Sequence, residues 1–209
     1  TEMSEKYGEK IRQAAKELVG VVKEMRVSDE KLKTLEYRSP EWQKAVNEYN
    51  ALNDKRNKLR GEATWNTEVL RNQKSGESYT DYHNYQGKTL AEYKRTAMQD
   101  PQAALSLAEA GELSENGPPS EGLGIGRVSK ELRSNGEYMT RMLDVLDTTG
   151  AQSFWAYTTG EAGQDKNLYL AAIAKNHLNY QFGSDEWKKD PDVQKAALAS
   201  GLSPMYLKK

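Results

Sequence analysis

The chain contains no cysteine among its 209 residues, which excludes disulfides, thiolate metal sites and cysteine nucleophiles. It has only two histidines, His83 and His177. A structural zinc site needs about four nitrogen or sulfur ligands and a catalytic one about three, often from histidine. No His-x-x-x-His or Glu-x-x-His pair occurs, so no metal and no cofactor is expected. No apolar run approaches the ~18–20 residues of a membrane span, and the first residues lack the apolar core of a signal peptide. Opening on Thr1 rather than Met fits a processed or trimmed chain. A soluble chain is expected, either cytoplasmic or exported without a visible leader.

Charge of one sign is also missing. Lys and Arg number 30 against 31 Asp and Glu, a net of −1. Nucleic-acid binding favours a basic domain, so no nucleic-acid partner is expected. The basic run Lys55, Arg56, Lys58 and Arg60 points around a helix rather than along one stripe, which is the pattern of a solvated face. Large aliphatics are scarce too: Leu, Ile, Val and Phe supply 34 residues of 209. A share under ~20% signals disorder only when joined to a large net charge, and that second condition fails.

What is abundant is helix-forming. Leu and Ala contribute 20 residues each, while the β-branched residues that favour strands are depleted. The expected fold is all-α: a long antiparallel helical hairpin, coiled-coil-like, then a loop-rich segment and a C-terminal array of shorter helices.

Residues 1–74 form the hairpin in this reading. Ile11, Ala14, Ala15, Leu18, Val22, Met25, Leu32 and Leu35 recur at helical spacing. Ser28 either caps a new helix or lies on the outer face of one helix reaching Tyr37. Ser39, Pro40 and Glu41 then supply an N-cap, a first helical residue and a charge suited to the positive end of the dipole. The second stripe runs through Trp42, Ala45, Val46, Tyr49, Leu52, Leu59, Ala63 and Leu70. Polar Arg56 and Asn66 sit on its seam, where they would fix register or admit a partner helix. Self-association through the hairpin is one expected route to a homo-oligomer.

Residues 75–126 read as a loop-rich connector with short helices. Thr89 starts one over 90–99, and Asp100-Pro101 starts another reaching about Ala110. Glycines at 111, 117, 122, 124 and 126, with Pro118 and Pro119, mark the best boundary in the chain. The glycine spacing before Arg127 invites a phosphate-loop reading. A dinucleotide fingerprint needs a preceding strand, and Pro118-Pro119 supplies none. Residues 127–209 resume helices: one from Ser129 to before Gly150, weakened at Asn135-Gly136; one from Asp165 to Gly183; and two short ones opened by Ser184 and Asp190-Pro191.

Two kinds of functional candidate emerge. Carboxylate pairs, Glu77 with Asp81 or Glu161 with Asp165, suggest a small helical cell-wall or glycan hydrolase working by acid–base chemistry. The stronger signal is aromatic, with 12 Tyr and 4 Trp against 2 Phe. Tyr79, Tyr82, His83 and Tyr85 share one polar loop, and Trp155 and Tyr157 sit between two glycines. Tyr and Trp join a large contact area to a polar handle and are enriched at interfaces. The alternative is that these rings fold back to finish a thin core. The leading expectation is a non-enzymatic module that binds a protein partner through these loops. By analogy of architecture, a bacterial secretion-associated protein, an exported (secreted) effector or a virion component fits it.

Overall fold

The computed structural model describes residues 2–64, 94–113 and 123–209. The connector's 75–87 loop, its glycines and prolines at 117–122, and Asn66 and Leu70 of the second stripe lie outside the described residues. The fold is all-α, with no strand among the described residues. The chain divides into two compact units, Thr1–Ala110 and Gly111–Lys209, so the division falls inside the 75–126 segment.

In the first unit, α1 (Glu2–Thr34) runs unbroken through Ser28 for about 50 Å. Its buried stripe is Ile11, Ala14, Ala15, Leu18, Val21 and Met25. Val21 occupies the centre and Val22 the margin, a shift of one residue from the expected stripe. The helix ends where Thr34 Oγ1 donates to the Lys31 carbonyl. A tight turn follows, and Ser39 Oγ accepts the Trp42 amide at 3.1 Å to open α2 (Pro40–Thr64). α2 packs back along α1, and Lys31 meets Glu48 across the pair. The expected helical hairpin is therefore present.

A third helix, α3 (Pro101–Glu109), lies along α1 in the same direction, because Arg12 meets Asp100 and Lys23 meets Glu109. Asp100 has two jobs: Oδ1 accepts the Ala103 amide as N-cap while Oδ2 takes Arg12 Nη1 at 2.7 Å. Buried alanines are frequent on both helices (Ala103, Ala104 and Ala108 on α3, Ala14 and Ala15 on α1), and such small side chains permit close packing. Away from α3 the hairpin is thinner. Leu32, Leu35, Trp42, Val46 and Tyr49 are only half-buried.

The second unit is a compact array of short helices: α4 (Lys130–Ser134), α5 (Gly136–Val145), α6 (Phe154–Tyr157), α7 (Lys166–Lys175), α8 (Asp185–Lys189) and α9 (Pro191–Ala199). Most are opened by their own capping side chain. Ser129, Asn135, Asp165, Ser184 and Asp190 each accept an amide of the first turn. Two helices expected to be continuous are split by asparagine. Asn135 leaves the helical region and caps α5 with its own side chain. Asn176 does the same after α7, and the chain resumes as a 3-10 segment, His177–Phe182. Asparagine competes with the helical backbone for these amides, which makes it a natural break.

The core of this unit gathers Met139, Met142, Phe154, Tyr169, Ile173 and Val193 around one fully buried polar side chain, Asn179. Its Oδ1 accepts the Trp155 amide at 2.9 Å. Its Nδ2 donates to the carbonyls of Ala151, Ala172 and Asn176. Four separate points of backbone converge on that amide. Beside it Trp155, Tyr169 and Trp187 form a ring cluster, with Tyr169 stacked on Trp187 at 5.4 Å. Tyr169 donates to the Tyr180 carbonyl, and burial pushes its phenol well above the ordinary range. Its ring passes directly over Gly183, where any β-carbon would collide with it.

Asn179→Leu keeps the size of this hub and removes its polar atoms, leaving the Trp155 amide buried without an acceptor. The expected cost is about 2–4 kcal/mol in urea unfolding followed by tryptophan fluorescence; a loss under about 0.5 kcal/mol would contradict the assignment.

Asp190 yields a pH prediction. It pairs with Lys166 Nζ at 2.6 Å and caps α9 through the Asp192 and Val193 amides. The Lys166 hydrogen bond, helped by those amides, holds its carboxyl below the ordinary aspartate value. A lowered carboxyl contributes stability that is present above the ordinary value and lost as pH falls through the lowered one. The stability gap between wild type and Asp190→Asn should therefore hold steady near neutrality and close on acidification. A gap independent of pH would refute it.

Candidate functional site

A groove in the second unit, with a cavity of about 490 Å³, is lined in part by residues near the end of the chain. One wall is the 3-10 segment His177–Phe182, presenting His177, Leu178, Tyr180 and Gln181. Lys188 at the end of α8 and the turn Gly201–Ser203 after α9 supply further lining. Tyr206 and Lys208 complete it.

The turn after α9 needs its glycine. Gly201 has φ +104, a conformation that side-chain-bearing residues rarely adopt, and its amide returns to the Leu198 carbonyl. Beyond it the chain is tied down by a compact polar clasp. Tyr180 Oη donates to the Lys188 carbonyl at 2.7 Å and accepts the Lys208 amide at 2.9 Å. Gln194 Nε2 donates to the carbonyls of the same two residues, at 2.9 and 2.8 Å. Lys208 and Lys188 both reach the carboxylate of Asp185, at 3.4 and 3.2 Å. Hydrogen bonds from Lys188 and Lys208 lower the Asp185 carboxyl, which keeps it ionised.

His177 is also fixed. Its Nδ1 lies 3.1 Å from the Ser200 carbonyl. A carbonyl only accepts, so Nδ1 carries the proton, and in the neutral ring Nε2 holds the lone pair. The sequence placed this histidine within a continuous helix; the structure places it on the groove wall.

The groove is surrounded by apolar side chains that remain in water. Met205 is 79% exposed, Tyr206 66%, Leu198 40% and Phe182 38%. Tyr206 lines the groove, and the other three lie within three residues in sequence of its lining. They had no periodic signal, and the usable clue was the apolar run Met205-Tyr206-Leu207 just after Pro204.

The residues singled out from sequence fare differently. Tyr79, Tyr82, His83 and Tyr85 lie outside the described residues, as do Glu77 and Asp81. Trp155 is only 6% exposed and belongs to the interior ring cluster, with its amide held by Asn179. Tyr157 is 38% exposed; its ring lies across Gly126, leaving no room there for a β-carbon, and its carbonyl accepts Arg133 Nη1 at 3.0 Å. So Trp155 and Tyr157, neighbours in sequence, do not share a surface. Gly126 itself belongs to a 3-10 turn, Ile125–Arg127. Of the carboxylate pair Glu161 and Asp165, Oδ1 of Asp165 accepts the amides of Asn167 and Leu168 at the start of α7. No group of three or more His, Asp or Glu able to hold a metal ion occurs among the described residues.

The first unit carries a second aromatic feature at the hairpin turn. Tyr37 meets Trp42 edge to face at 4.9 Å, and the Arg38 guanidinium lies 5.1 Å over the Tyr37 ring. Arg38 has φ +64, the only positive φ outside glycine among the described residues. No protein-family model, curated protein or solved structure matches this chain.

Proposed function

We propose that this chain is a non-enzymatic protein-binding module whose contact surface is the groove and apolar rim of the C-terminal unit. One observation carries the reading. Seven large hydrophobic side chains stand exposed among the described residues; Tyr206 lines this groove, and Phe182, Leu198 and Met205 lie within three residues in sequence of its lining. Scattered exposed apolar residues are ordinary, whereas apolar residues gathered around a concavity favour a partner that removes them from water.

The clasp supports the same reading. Tyr180 and Gln194 hold the backbone of Lys208, and Asp185 its ammonium, two and three residues beyond Tyr206 and Met205, so the chain that carries those side chains is anchored. A pre-organised contact loses less entropy on binding than a mobile one. Asp165, by contrast, is committed to capping a helix, which argues against acid–base work by the pair it forms with Glu161.

Met205→Ser combined with Tyr206→Ser is expected to reduce capture of a cross-linked protein partner from cell lysate by about tenfold. The unfolding midpoint should stay within about 1 °C, because both side chains are largely in water. Light scattering across a range of concentrations identifies a second copy of the chain as the partner if wild type dimerises and the double variant does not. Partner capture or dimerisation unaffected by the substitutions would refute the assignment.

A further inference from the structure

Resting on that reading, we propose that the groove receives an acidic peptide: a segment of a partner protein with a carboxylate beside an aromatic or aliphatic side chain. The lining includes Lys188, Lys208 and His177 and no carboxylate. Asp185, which is not among the lining residues, pairs with both lysines at once from an exposed position. Two ammonium groups against one carboxylate leave a net positive charge beside the groove. Residues 175–209 carry six lysines against four acidic residues in a chain whose net charge is −1. An incoming carboxylate therefore meets a favourable field.

The rest of the lining calls for an apolar group. Leu178 and Leu202 face the cavity, and Tyr180 offers only its ring, because its hydroxyl is engaged with Lys188 and Lys208. A cavity of about 490 Å³ has room for a large side chain and its carboxylate-bearing neighbour. The rim extends the argument from a small molecule to a chain. Phe182, Leu198 and Met205 are exposed, lie within three residues in sequence of the lining and are not part of it, and a small carboxylate held inside would leave them in water. A peptide running out of the groove covers them.

The test is selection of random twelve-residue peptides displayed on phage against the full chain, followed by calorimetry with the enriched peptide. The proposal expects enriched sequences with Asp or Glu next to Trp, Phe, Leu or Ile. It expects at least about tenfold weaker binding to Lys208→Glu and Lys188→Gln, and weakening as salt rises from about 0.05 to about 0.5 M. Unfolding midpoints measured alongside separate lost contacts from lost folding, and Lys208→Gln serves as the milder variant. Enriched peptides that lack a carboxylate and bind both lysine variants like wild type would overturn the proposal. If those peptides still fail to bind the Met205→Ser, Tyr206→Ser variant, the groove survives as a contact surface and only its charge preference falls. Peptides indifferent to that variant, or no enrichment at all, remove both readings. Decanoate as the probe of a small carboxylate also decides: binding that the enriched peptide cannot displace would overturn the peptide assignment.

Discussion

Everything in the C-terminal unit is arranged around the buried amide of Asn179. A polar side chain wholly removed from water is tolerable only when its hydrogen bonds are made, and here each end of the amide is engaged. Its partners belong to α6, the turn before it, the body of α7 and the break after α7. Short helices bury little area each and hold one another weakly, so a shared polar hub fixes relative positions that hydrophobic packing alone leaves loose. The same hub sets the path of the 3-10 segment His177–Phe182. Tyr180, the next residue, inherits its position from it, and through Tyr180 so does the clasp over the groove.

The hairpin unit follows a different logic. Its helices are long, its contacts are regular, and its cohesion comes from one apolar stripe and small residues that let α3 approach. The double role of Asp100, as cap and as partner of Arg12, joins the start of α3 to α1. Toward the turn the burial thins, and the aromatic contact of Tyr37 with Trp42 takes over from the aliphatic core.

Much of this was legible in the sequence. The 3–4 spacing from Ile11 onward and the Ser39-Pro40 step announced the hairpin, because period and capping chemistry are local properties. The same holds for Asp100, Ser129, Asp165, Ser184 and Asp190, each of which opens the helix it was expected to open. The split helices were harder. Asn176 lies on the same face as Ala172, so the apolar period alone gives no reason to stop there, and only the side chain's competition for the Leu178 amide ends the helix. Asn179 was invisible as a hub because its partners lie up to 28 residues away in sequence. The groove was unreadable for the same reason: its walls come from His177–Gln181, Lys188 and the chain after Gly201, and none of these segments announces the others. Aromatic content put Trp155 and Tyr157 on one expected contact surface, but burial separates them and no local pattern predicts that.

Asn179 holds the unit together while the clasp over the groove opens more readily, and amide hydrogen exchange by NMR tests this most directly. The Trp155 amide, which donates to Asn179, should exchange with the slowest amides of the C-terminal unit, through global unfolding alone. The Lys208 amide, which donates to the Tyr180 hydroxyl near the surface, should exchange earlier through local opening. A Trp155 amide that exchanges as fast as that of Lys208 would contradict the account, because the hub would then not be what the unit depends on.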